Sequence, residues 1–156
     1  FLNLFPKLNY ISTDINNEIL DFQKEKYNYS NLKYFKCYAE DIDECINNFS
    51  ISDKNIILFS HGSLQYVNPF FLEEFFLKIR KYKKLNLFLS EPVSLLLIDN
   101  NKIISDNRSN ISFSHHYDEY ARNSGANIIE NKAIRPYLKD DKQHGQTGHF
   151  YLHTSN

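Results

Sequence analysis

The sequence contains no methionine and no tryptophan, and only four glycines, four prolines and two cysteines among its 156 residues. Each shortage excludes something. Without a methionine there is no initiator residue, and the chain is expected to begin inside a longer protein. Cys37 and Cys45 cannot build a metal cluster by themselves. Cys37 lies in an apolar run where a buried, reduced thiol is the ordinary state, which fits a reducing cytoplasm. No apolar run approaches the roughly 18 residues that a membrane helix needs, and no charged-then-apolar signal segment opens the chain. A basic excess is missing too: 18 Lys and Arg face 19 Asp and Glu, for a net charge of -1. Binding that rests on phosphate neutralisation needs a basic surface, so neither a nucleic-acid nor a membrane partner is expected.

What is present suits one buried core. With 42% hydrophobic and 24% charged residues, residues 1–156 read as a single α/β domain. The stretch that organises it is Asn55 to Val67, NIILFSHGSLQYV. Ile56, Ile57, Leu58 and Phe59 form a run long enough for a strand buried on both faces, and it breaks at a polar tip, Ser60-His61-Gly62. In open α/β sheets ligands bind outside the carboxyl ends of the strands, so this tip is expected to face one. A second buried strand, Leu85 to Ser90, ends at Glu91-Pro92, beside His61 if the two strands are parallel neighbours.

SHGSLQYV, followed by the strand ending in Ser90-Glu91-Pro92, resembles the fourth and fifth strands of a class I S-adenosylmethionine-dependent methyltransferase, and above all the bacterial small-molecule or sugar methyltransferase-like proteins. The resemblance implies a Rossmann-like methyltransferase sheet, S-adenosylmethionine as cofactor and methyl transfer to an O or N atom of a small acceptor, such as a sugar.

In chain order, Lys7 to Thr13 reads as a strand ending at Asp14. A carboxylate at such a tip accepts strong hydrogen bonds from both ribose hydroxyls of a nucleotide, the role that the resemblance implies for Asp14, with Ile15 as an apolar edge against the adenine. The other reading of Asp14 is a helix N-terminal carboxylate, since a helical pattern opens at Asn16, Asn17 and Glu18. Leu32 to Tyr38 is a third strand, and Asp41 with Glu44 resembles a capping box for a helix over Ile42 to Phe49. The family commonly offers an acid to the adenine after this strand. Here Tyr38 stands in its place, which leaves the Ala39 backbone and Glu40 as candidates.

Asn68-Pro69 starts a helix over Phe70 to Lys84, with Glu73 and Glu74 early and Lys78, Arg80, Lys81, Lys83 and Lys84 late, a polarity that reads as a solvated helix end. Val93 to Phe113 is irregular, and an excursion of about twenty residues within a compact domain reads as a lid. It ends at Ser114-His115-His116-Tyr117, where Ser114 is expected to cap a helix running to Ser124 and stopped by Gly125. The two histidines either line the acceptor pocket or sit at a solvated helix start. A His115/Glu119 metal pair has no third ligand in sequence, so no metal site is expected. Asn127 to Ile134 and Gly148 to Thr154 have no helix between them, so they must pair antiparallel. A parallel sheet closed by an antiparallel hairpin is the methyltransferase pattern.

The family's first strand and its glycine-rich turn are not seen. None of the thirteen residues before Asp14 is glycine, and the chain aligns with the second through seventh strands. Methyl transfer to a hydroxyl requires alignment and removal of a proton, for which His61, His115 and His116 are candidates because histidine titrates near neutral pH. Glu91 could orient one of them or take the proton itself, and Ser60 with His61 would also border the cofactor. His144, His149 and His153 lie in or beside the terminal hairpin. Two other readings stand beside this one: a different nucleotide-binding enzyme, such as a dehydrogenase, or a methyltransferase-like module that binds or assembles without catalysis.

Overall fold

The computed structural model describes residues 4–94, 104–134 and 147–156. The chain alternates strand and helix as expected: β1 (Tyr10–Asp14), α1 (Asn17–Lys26), β2 (Leu32–Lys36), α2 (Ile42–Asn48), β3 (Ile56–His61), α3 (Pro69–Ile79) and β4 (Leu85–Ser94). A short hairpin, β5 (Ser105–Ser109) and β6 (Ser112–His115), precedes α4 (Tyr117–Ser124), and β7 (Asn127–Ile134) with β8 (Thr147–Ser155) close the order. Single 3-10 turns cover Ala39–Asp41 and Leu64–Tyr66.

β1 and β2 pair in parallel, with Asp14 opposite Lys36. β3 and β4 pair in parallel, with His61 opposite Ser90. β8 runs antiparallel to both β4 and β7, so the second sheet is ordered β3-β4-β8-β7. This is the mixed α/β, Rossmann-like sheet with an antiparallel closing hairpin that the sequence implied. Among the described residues no backbone ladder joins the β1-β2 pair to β3.

The core lies on one face of the larger sheet. Alternate β4 residues Leu85, Leu87, Leu89 and Val93 are buried, as period-2 geometry requires. Leu72, Phe75, Phe76 and Ile79 of α3 lie one helical turn apart and cover them, together with Tyr117, Tyr120 and Ala121 of α4. The opposite face is bare among the described residues, with Ile57 68% and Phe59 60% exposed. The expectation that β3 is buried on both faces is therefore corrected.

Several boundaries move for identifiable reasons. β4 does not stop before Glu91-Pro92 but continues to Ser94, because β8 follows it out to the Ser94–Thr147 pair after β3 has ended at His61. Pro92 is tolerated there because one side of the strand no longer has a ladder to satisfy. α3 starts as expected, with the Asn68 side chain accepting from Phe70 N and Pro69 in the first turn, but ends at Ile79 rather than Lys84. The capping box at Asp41 does not form, since Asp41 makes no side-chain cap bond. Ser114 is not a helix cap either: it is a buried residue of β6, and α4 begins after His116 without a side-chain cap. Residues 105–109 and 112–113 of the expected excursion form the β5-β6 hairpin, while 95–103 and His144 lie outside the described residues. No helix among the described residues is long and apolar enough to cross a membrane.

Candidate functional site

The tip of β3 is built by one backbone conformation that only glycine adopts readily. Gly62 has φ +65°, its N–H donates to the Ser90 carbonyl at 3.0 Å, and its own carbonyl accepts from Gln65 Nε2 at 2.8 Å. The chain thus turns sharply off the sheet while remaining tied to β4.

Side-chain alternation then sorts the candidates onto two faces. Ser60 points to the core side, where its hydroxyl donates to Glu91 Oε1 at 2.5 Å, and Ser63 N–H reaches the same oxygen at 3.3 Å. Glu91 is 0% exposed, and its Oε2 has no hydrogen-bond partner among the described residues. Burial pushes its carboxyl up, against the Ser60 hydroxyl and the amides of Leu64, Ser63 and Gln65, which favour the ionised form. His61 points the other way. Its Nδ1 lies 3.0 Å from Ser90 Oγ, and its ring stacks parallel to Phe59 on the open face. The sheet therefore brings His61 and Glu91 side by side in the backbone but not into one crevice.

His115 and His116 are not on a solvent-facing lid. His115 is 0% exposed and lies in β6, with Nδ1 2.7 Å from Ser105 Oγ, which is in turn 2.7 Å from Tyr120 OH. Burial holds its pKa down to about 4, and the carbonyls of Val67 and Leu64 oppose part of that shift without completing a hydrogen bond to Nε2. Beside it Tyr117 is fully buried, its hydroxyl pushed well above the phenol range by burial and then by the Glu91 charge. His116 is buried at the start of α4. Sequence reasoning missed Tyr117, Ser105 and Tyr120 as partners of His115. The adjacency of Tyr117 to the two histidines was the available signal.

The second group of candidates sits at the carboxyl ends of β1 and β2. Asp14 Oδ1 accepts from Asn16 N–H at 2.8 Å, while the helix cap of α1 is the Asn16 side chain itself, accepting from Glu18 N. Asp14 is thus oriented by the turn without being the cap, and Oδ2 makes no hydrogen bond among the described residues. The next residue, Ile15, is exposed, as is Tyr38 just past β2, whereas Ala39 and Glu40 are half-buried. A carboxylate next in sequence to an exposed apolar side chain has the chemistry to accept hydrogen bonds from hydroxyl groups. Nothing among the described residues offers three His, Cys, Asp or Glu side chains placed for a metal ion.

No protein-family model and no curated protein matches the sequence. Solved structures do share its fold. The cyclopropane synthase MmaA2 from Mycobacterium tuberculosis matches 97% of this chain and 72% of its own at 8% identity, with a TM-score of 0.67. An S-adenosylmethionine-dependent methyltransferase from Mesorhizobium loti matches 95% of this chain and 80% of its own at 10% identity, with a TM-score of 0.63. A SAM-dependent methyltransferase from Methanosarcina mazei matches 99% and 85% at 11% identity, with a TM-score of 0.57. The chain spans 66% of a further match, from Thermobifida fusca YX. At these identities what is shared is the fold of class I methyltransferases.

Proposed function

We propose that this chain is the greater part of an S-adenosylmethionine-dependent methyltransferase acting on an O or N atom of a small molecule, with a sugar as the acceptor class that the sequence resemblance favours. The observation that carries this reading is Asp14 at the carboxyl end of β1, beside the exposed Ile15, in a sheet of methyltransferase topology. Asp14 would accept hydrogen bonds from the ribose hydroxyls, Ile15 and the Ala39-Glu40 turn would border the adenine, and His61 would face the methyl end, while Ser60, which the sequence also placed beside the cofactor, is turned to Glu91 on the covered side. The bound cofactor supplies an activated sulfonium methyl. The chain's own residues align the acceptor and take its proton.

Of the proposed bases, His61 fits best. It lies at the strand tip and on the open face, whereas His115 and Glu91 are enclosed. Glu91 and His115 are then read as groups that position the tip. The break between β1 and β3, and the bare apolar face carrying Ile57 and Phe59, support a further strand and helix at that place, bringing the glycine-rich turn that the described residues lack. Two free thiols, Cys37 and Cys45, suit a cytoplasmic setting.

Titration calorimetry of the full-length protein with S-adenosylmethionine tests this. Asp14→Ala should weaken binding roughly tenfold or more, the loss expected for hydrogen bonds to a charged group. Unchanged affinity would return Asp14 to the role of a turn former. A second reading, a methyltransferase-like binding module without turnover, is favoured by the burial of Glu91 and His115. Binding of S-adenosylmethionine without methyl transfer to any of a panel of sugars and small amines would support it.

A further inference from the structure

The turn that carries Ala39 and Glu40 has no cap of its own. Neither Tyr38 before the 3-10 segment nor Asp41 before α2 makes a side-chain cap bond. A short turn between a two-stranded sheet and a two-turn helix should then fray, because its terminal amides and carbonyls are satisfied only by neighbours or water. Its neighbours come from far along the chain. Lys78, near the end of α3, donates its ammonium to the Glu40 backbone carbonyl. Lys81 Nζ lies 3.0 Å from Asp43 Oδ2, and Tyr82 OH donates to Asp43 Oδ1 at 2.8 Å. The end of α3 and the residues just past it therefore grip both the turn and the first residues of the helix that follows it. α3 begins at Asn68-Pro69, after the 3-10 turn Leu64–Tyr66 that follows the tip of β3, and is anchored along its length by Leu72, Phe75, Phe76 and Ile79. These lysines are thus not the purely solvated helix end that their spacing suggested.

We infer that Lys78 is a positioning residue for the cofactor's base, holding the Ala39-Glu40 turn at a fixed distance from the β3 tip through α3. The inference rests on the proposed methyltransferase reading, and Lys78 is far in sequence from the turn that it holds. A single charged donor on a carbonyl is the strong kind of hydrogen bond, and Lys81 with Tyr82 supports it from the next turn. The turn cannot shift without breaking contacts to a rigid core helix, so the base would meet a preformed edge and not a mobile one.

Hydrogen exchange and calorimetry on the full-length protein separate the parts of this inference. In Lys78→Met the amides of residues 39–44 should exchange several-fold faster, and S-adenosylmethionine should bind about tenfold more weakly, the loss expected for one hydrogen bond to a charged donor. Lys78→Arg, which still presents a cationic donor, should recover most of both. Lys83→Met, at an exposed lysine with no hydrogen bond among the described residues, should change neither. A thermal transition close to the parent's shows that the Met variant remains folded, and the Arg variant carries the comparison if it does not. Unchanged exchange at 39–44 overturns the clamp. Faster exchange with unchanged affinity overturns the cofactor role and leaves a stabilising contact. A parent protein that does not bind S-adenosylmethionine overturns the methyltransferase reading and the cofactor role together, while the exchange data still decide whether Lys78 holds the turn.

Discussion

Ser60 and Glu91 meet across the β3–β4 ladder through a 2.5 Å hydrogen bond on the covered side of the sheet, one residue out of step with His61, which lies on the open side. That offset divides the tip into an enclosed anchor and an exposed working group.

The anchor makes a stability prediction. Glu91→Ala would leave the Ser60 hydroxyl and the Ser63 amide without their buried acceptor, which costs about 1–3 kcal/mol for each group left unsatisfied. Glu91→Gln keeps an acceptor oxygen and should cost less. Urea unfolding decides it, and equal stability of parent and Glu91→Ala would show that the carboxylate does not hold the loop.

The pH dependence should carry two opposing slopes. His115 is held down to about 4 in the folded state, below its ordinary value near 6.5. Its contribution is therefore fully present above about pH 6.5 and is lost as pH falls through about 4, by roughly 3 kcal/mol on a scale of 1.36 per unit. Glu91 is pushed up, so its effect runs the other way: the protein is favoured below the ordinary carboxylate range and loses stability as pH rises through the raised value. Replacing His115 by Phe should flatten the acid limb, and Glu91→Gln should flatten the opposite one. An acid limb that is identical in parent and His115→Phe would place the titrating group elsewhere.

Gly62 isolates backbone strain from packing. A Cβ there would meet only Gln65 Nε2, at 3.9 Å, so space is available while φ +65° is not. Gly62→Ala should cost roughly 1 kcal/mol, the usual penalty for a left-handed non-glycine residue. If the midpoint of thermal unfolding rises in the variant, the turn at the tip is not left-handed.

The bare face predicts behaviour in solution. Ile57 and Phe59 present apolar surface beside a strand edge that is unpaired among the described residues, a combination that promotes association. In the isolated 156-residue chain, Ile57→Lys with Phe59→Lys should reduce aggregation measured by light scattering. In a longer protein in which these residues are covered, the same pair should destabilise. Greater aggregation of the double variant of the isolated chain would mean that this face is not the adhesive one.

Much of this architecture could be read from local pattern. Ile56 to Phe59 broken by Gly62 marked the tip, Asn68-Pro69 marked the start of α3, and the lack of a helical pattern between β7 and β8 required an antiparallel pair. What escaped depended on partners distant in sequence. β4 runs past Pro92 because β8 follows it, and the β5-β6 hairpin forms from Ser105 to His115 although SDNRS shows no apolar alternation. Asp41 looked like a box residue, yet the restraint there comes from α3. His61 and Glu91 looked like partners because their strands are neighbours, but a pleat with period 2 sends side chains to opposite faces when the register differs by one.

Among the described residues, β7 reaches the rest of the sheet only through β8, which lies between it and β4 although it comes later in the chain. During synthesis the sheet must therefore wait with a vacant interior place until residues 147–155 have emerged, and only then can β7 be locked in. Ribosome-bound chains that end before residue 147 should stay protease-sensitive across β7. A cut that removes β8 would take away a middle strand, not an edge, and would release β7 with it.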